Sequence, residues 1–246
     1  MMQKFALLFV VITAGGSSSQ RPAPEPAAIG AYRTAIAAAE AGRTSGTVEA
    51  AFAALTAVRE ALMGPGSSAT QGTILESLSD EAFERVAALP GAIVNRDEVL
   101  LVEPDPDYYV KLAAAHGDVG DRAFFAALKA TYPESVWPVY VDQQTDISGC
   151  TRFGSGALVD TCRRWSAFQR TFPGRYVAAA RKEMADVGAR LTESICACGD
   201  AASVQNELQR FVAAFATSPI AARVNQRLKD VRAGRTTIRM NCLASP

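Results

Sequence analysis

Ala157-Leu158-Val159-Asp160-Thr161-Cys162-Arg163-Arg164-Trp165-Ser166-Ala167-Phe168-Gln169-Arg170-Thr171-Phe172-Pro173-Gly174 is the stretch on which the fold turns. Leu158, Cys162, Trp165, Phe168 and Phe172 recur at three- and four-residue steps, which puts them on one face of a helix. Pro173-Gly174 then breaks it. Val177, Ala180, Met184, Val187, Leu191 and Ile195 mark the face of a second, longer helix. Two further stripes follow, Val204/Leu208/Phe211/Phe215 and Ile220/Val224/Leu228/Val231, separated by Ser218-Pro219. Four apolar stripes joined by short turns predict an antiparallel helical bundle.

Toward the N-terminus the same period persists. Segments 26–41 and 47–62 are rich in alanine, the strongest helix former, and flank Gly42-Arg43-Thr44-Ser45-Gly46, so they read as a helical hairpin. Shorter helices are expected over 70–78 and 80–89, the latter capped by Ser79 and stopped by Pro90-Gly91. The texture then changes. Ile93-Val94 and Val99-Leu100-Leu101-Val102 flank Asn95-Arg96-Asp97, and Val136 to Val141 is another extended run, which predicts a small two- or three-stranded β patch around 92–102 and 136–141. Between these runs Asp107 and Asp121 are expected to cap helices over 108–116 and 122–131, with Gly117 ending the first. The fold class is therefore mainly α, in bundle and hairpins, with a minor β patch and a disulfide-stapled C-terminal half.

All five cysteines (Cys150, Cys162, Cys196, Cys198, Cys242) lie in the second half. If 157–172 and 175–197 fold back about Pro173-Gly174, facing residues have numbers summing to about 347, as in an antiparallel helical hairpin. Cys196 then faces position 151, beside Cys150. Cys162 faces no cysteine and lies on the apolar stripe with Trp165. The expectation is that Cys150 bridges one of Cys196 and Cys198, that Cys242 bridges the other, and that Cys162 is a buried free thiol. Cys-Ala-Cys lacks the Cys-x-x-Cys spacing of thioredoxin-like redox chemistry, and the cysteine spacings do not suit a structural zinc site.

Lys4 precedes the apolar run Phe5 to Ala14, and small residues Gly15 to Ser19 follow. These are the parts of a secretory signal over 1–19, with cleavage after Gly16 or Ser19. The run is shorter than the roughly 20 apolar residues a membrane span needs. A Pro/Ala linker over 20–26 separates it from a single helical domain over 27–246. An exported, periplasmic or secreted protein, with no membrane span once the signal is removed, is the expectation, and an oxidising compartment suits the cysteines. The 20 Arg against 5 Lys and the abundant alanine suggest a GC-rich, bacterial genome.

The zero net charge conceals a division. Residues 21–150 hold 9 Lys and Arg against 18 Asp and Glu, whereas 151–246 hold 15 against 7. Such a dipole can pair the two halves or steer an acidic partner to the C-terminal face. The basic residues are scattered over amphipathic helices without an aromatic-basic module, which argues against nucleic acid.

Constellations for catalysis are sparse. His116, the single histidine, sits at an expected helix end, where an imidazolium complements the dipole. The string from His116 to Asp121 lacks the ligand count of a calcium loop, so no metal and no cofactor is expected. Glu103, Asp105 and Asp107, stiffened by Pro104 and Pro106, are the candidate catalytic carboxylates, since paired carboxylates cleave glycosides. Arg152, Gly154, Ser155 and Gly156 lead into the helix at 157 and are the candidate small-anion site. The loop is neither a nucleotide-binding loop nor a Gly-x-Ser-x-Gly elbow.

These features predict an exported, non-catalytic binding or interaction module of the cell envelope or extracellular space. Its partner would be an envelope or extracellular protein or an anionic component, met by Arg163, Arg164, Arg223 and Arg227. The alternative is a carboxylate-dependent hydrolase of cell-wall or other glycans. A structural envelope protein is the further alternative.

Overall fold

A computed structural model describes residues 26–42, 46–64, 72–97, 100–132 and 150–242. Ten helices and one two-stranded sheet make up the described residues. The signal segment, most of the linker and the extended run at 136–141 lie outside them.

The N-terminal hairpin consists of α1 (Ala27–Glu40) and α2 (Thr47–Met63). Ile29, Tyr32, Ile36 and Ala39 of α1 and Ala51, Leu55, Val58 and Leu62 of α2 are buried at helical spacing, so the two apolar faces close on each other. The helix expected over 70–78 is only one turn, α3 (Ile74–Ser77), because Thr73 takes the cap position and accepts from the Glu76 amide. Ser79 caps α4 (Asp80–Ala87), as its sequence suggests. Gly91 has φ +71° and lies against the Tyr108 ring, leaving no room for a Cβ. Strands β1 (Ala92–Asn95) and β2 (Leu101–Pro104) pair antiparallel, with Val94 opposite Val102.

Helices α5 (Pro106–His116) and α6 (Val119–Thr131) correct two expected caps. Asp105, not Asp107, caps α5, because Pro106 suits the first helical position and needs no amide partner there. Asp118, not Asp121, caps α6. Asp121 stands at the third helical position and closes a reciprocal capping box, its carboxylate accepting from the Asp118 amide at 2.8 Å.

The C-terminal half is a four-helix bundle of α7 (Ala157–Thr171), α8 (Val177–Glu193), α9 (Ala201–Ala214) and α10 (Ala221–Arg232). Contacts close a ring, α7 to α8, α8 to α10, α10 to α9 and α9 to α7. Ile195 is the exception to its stripe. It lies beyond the end of α8 and is 63 % exposed.

Two apolar cores result, and α7 and α8 feed both. Trp165, Phe168, Tyr176 and Ala180 enter the N-terminal core, whereas Leu158, Cys162, Val187 and Leu191 enter the bundle core. Phe52 sits edge-on to Tyr109, Phe124, Phe125 and Tyr176, and Tyr176 stacks on Phe124 at 3.8 Å. Such aromatic pairs add roughly 0.5–1.5 kcal/mol each beyond area burial.

Disulfides Cys150–Cys198 and Cys196–Cys242 tie the open end of the α7–α8 hairpin to the C-terminal segment, and Cys162 is a buried free thiol. Between them three backbone segments are clasped by isolated bridges. Residues 195–199 form the middle segment: the Thr151 amide donates to Cys196, and the Ala197 amide donates to Arg239.

Candidate functional site

The bundle meets the N-terminal half through the turn between α7 and α8. Tyr176 adopts φ +48°, a left-handed conformation that bulky residues seldom take. Its surroundings hold it there. The Tyr176 amide donates to Glu49, its hydroxyl donates to Asp121 at 2.6 Å, and its ring stacks on Phe124. Arg175 beside it donates to Glu49, Asp118 and Asp121. Burial alone would lower the Arg175 pKa, but the three carboxylates raise it. The acidic N-terminal half and the basic C-terminal half are thus joined here by direct ion pairs.

Directly beside this joint lies a cleft of about 500 Å³ between α2, β2 and the first turns of α8. Phe52, Leu55, Val102, Leu128 and Tyr176 give it an apolar floor, and all five are buried residues. Its polar lining comes from Glu49, Arg59, Glu60, Glu103, Lys182 and Glu183. An apolar pocket with a few convergent polar groups is the usual form of a ligand site.

Most of these charges are already matched within the chain. Arg59 pairs with Glu103 at 3.0 Å, Lys182 with Asp186 at 2.8 Å, and Glu49 accepts from Arg175 and the Tyr176 amide. Glu183 is different. It is 7 % exposed, and its Oε2 accepts from the neutral Tyr132 hydroxyl at 2.6 Å. Burial pushes its carboxyl above the usual range and Asp186 adds to that, against the opposing pull of Lys182, the Tyr132 hydroxyl and Arg190. Glu60 is exposed and makes no ion pair among the described residues.

The candidate residues read from the sequence separate in space. Of Glu103, Asp105 and Asp107, only Glu103 lines the cleft. Asp105 is the α5 cap and Asp107 pairs with Lys129, so the acidic run does not gather at one site. The loop containing Arg152, Gly154, Ser155 and Gly156 does hold an anion, but one from its own chain. The fully buried Glu207 carboxylate accepts from the amides of Gly154, Gly156 and Val159 at 3.0, 2.8 and 3.2 Å. The site expected for a small anion is therefore filled by Glu207.

The four candidate arginines do not form one open face. Arg163 pairs with Asp160 and Arg223 with Glu193, both in exposed positions, and Arg164 lines a shallow groove beside Phe168. Arg227 donates to the carbonyls of Leu191 and Ser194 and so caps the end of α8. His116 is exposed and lies against Gly42. No group of metal-ligating side chains occurs among the described residues.

Glu183, Glu207 and Arg175 were not singled out from the sequence. Glu183 and Glu207 stand on helices and Arg175 in a turn, and the partner of each lies some 50 to 130 residues away. A signal existed only for Glu207 and Glu183: a carboxylate on or beside an apolar stripe, here next to Leu208 and Met184. Comparison with known proteins finds no matching family model, no similar curated protein and no solved structure that matches this chain.

Proposed function

We propose that this chain is an exported, non-catalytic binding protein of a bacterial cell envelope or extracellular space, and that it binds its ligand in the cleft between α2, β2 and α8. The observation that carries this reading is the cleft itself: an apolar floor, a charged rim and a volume of about 500 Å³ at the joint of two cores. The internal engagement of Asp105 and Asp107 supports a binding role over a catalytic one. Two disulfides suit an oxidising compartment, and no helix among the described residues is long and apolar enough to cross a membrane.

The test is a crosslinking capture by the oxidised protein from an envelope fraction, read by mass spectrometry, with two variants. Ala53 is exposed on α2 and lines the cleft, so Ala53→Trp fills it at little cost to the core. Arg163→Glu instead reverses an exposed charge outside the cleft. Capture lost in Ala53→Trp and kept in Arg163→Glu supports the cleft. The reverse pattern moves binding to the surface around Arg163 and overturns the cleft reading.

A second reading is a carboxylate-dependent glycan hydrolase. It is favoured by Glu103 and Glu183 lining one cleft, the second with a raised carboxyl pKa. Turnover of wall fragments that disappears in Glu183→Gln would establish it, and absence of turnover by the native protein would remove it.

A further inference from the structure

We propose that the ligand of this cleft is an organic ammonium cation with a compact apolar body, its charged head received by Glu183 and Glu60. The inference rests on the reading of the cleft as a binding site and deepens it. The argument is one of charge matching. Both cationic side chains that line the cleft already have carboxylate partners, Arg59 with Glu103 and Lys182 with Asp186. Glu49 is likewise neutralised by Arg175 and held by the Tyr176 amide. What remains is Glu183, bonded at one oxygen to a neutral phenol, and Glu60 at the rim without an ion pair among the described residues. Among the described residues the unmatched charge of the cleft is negative.

A carboxylate that is nine-tenths buried and lacks a bonded cation is costly, and a ligand that brings one lowers that cost. An ammonium N–H donates to the oxygen of Glu183 that Tyr132 does not occupy. The apolar body then lies on the floor formed by Phe52, Leu55 and Tyr176, where aromatic rings also favour a cation. A carboxylate or phosphate ligand would meet Glu183 and Glu60 with no unmatched cation among the described residues that line the cleft.

Isothermal titration calorimetry of the oxidised full chain at pH 7 tests this with three probes of one shape: benzylammonium, benzyl alcohol and benzoate. Benzylammonium is expected to bind at least about tenfold tighter than either of the other two, a difference of ~1.4 kcal/mol. Glu183→Gln, whose amide oxygen keeps the Tyr132 bond, is expected to remove that preference. Glu60→Gln, at an exposed site, weakens binding by a smaller factor. Equal affinity for benzyl alcohol or benzoate, or an unchanged preference in Glu183→Gln, overturns the cation inference and leaves the cleft as a binding site. Absence of binding by all three probes at millimolar concentration overturns the inference together with the cleft reading beneath it.

Discussion

Arg175 Nη2 stands 2.6 Å from Asp121 Oδ1, joining the turn before α8 to the first turn of α6 across 54 positions of sequence. The Asp121 side chain is 2 % exposed, and the Tyr176 hydroxyl donates to the same oxygen as this guanidinium. The division of charge between the two halves is thereby turned into a specific joint.

Arg175→Ala leaves Asp121 buried without its cation. Breaking a buried pair costs about 3–5 kcal/mol, and because the guanidinium is 26 % exposed the expected loss falls below that range, at about 2–3 kcal/mol. Arg175→Lys recovers little of it, since one ammonium cannot reproduce donors directed at Glu49, Asp118 and Asp121 together. Urea unfolding checks both variants, and a loss below 0.5 kcal/mol on the scale of exposed pairs would contradict the joint.

Glu207 predicts an ordered series. Glu207→Ala strips three amide donors of their acceptor in a fully buried position, at roughly 1–3 kcal/mol for each group left unsatisfied. Glu207→Gln keeps one oxygen but turns its NH₂ toward an amide donor, so its stability falls between the native protein and the alanine variant. Thermal unfolding of the three proteins gives the order directly. A glutamine variant as stable as the native chain would show that the second oxygen carries nothing.

Thiol labelling separates the free cysteine from the clasp. Burial, aided by Glu207, pushes the Cys162 thiol up to about 12, so the native protein is expected to take up no alkylating reagent at neutral pH. In denaturant without reductant it takes up one equivalent, at Cys162. Removal of the Cys196–Cys242 link, which closes a separation of 46 residues, is expected to cost about 4 kcal/mol through the entropy of the unfolded chain. Peptide mapping by mass spectrometry reads the first result and chemical denaturation the second.

Glu183 makes stability depend on pH in a stated direction. Its folded pKa is raised above the carboxylate value of 4.5, so its contribution is fully present below that value and is lost as pH rises through the folded pKa. Burial is the main cause of the shift, opposed by Lys182, Tyr132 and Arg190 and reinforced by Asp186. Glu183→Gln is expected to flatten this decline above pH 4.5. Unfolding free energies measured across that range decide it, and parallel curves for the two proteins would exclude Glu183 as the source.

Asp118 acts in the opposite sense at lower pH. The Asp121 and Gly120 amides and Arg175 outweigh its burial and hold it below 3.8, so its contribution persists above that value and disappears as pH falls through the lowered pKa. Asp118→Asn retains part of the cap but loses the attraction to Arg175, and its acid unfolding is expected to depend less on pH below 3.8. Identical acid limbs would argue against this assignment.

Helical periodicity carried the amino-acid order a long way. The stripes from Leu158 to Val231, the breaks at Pro173-Gly174 and Ser218-Pro219, and the alanine-rich hairpin all reappear as helices and turns, because each depends on contacts three or four positions apart. The cysteine geometry was legible for the same reason, since a hairpin about one turn fixes which positions face each other, and Thr151 does lie against Ala197. Local reading erred by a few residues where two caps competed, as at Asp105 against Asp107 and Asp118 against Asp121. The cleft had no local signature. Phe52, Glu103 and Glu183 meet only after the α7–α8 turn has docked Tyr176 against Phe124, and Glu207 fills the 154–156 loop only once the bundle has closed. Backbone propensity acts over one helical turn. Which buried charge finds which partner is decided by the packing of whole elements, where an unmatched carboxylate costs more than any local preference returns.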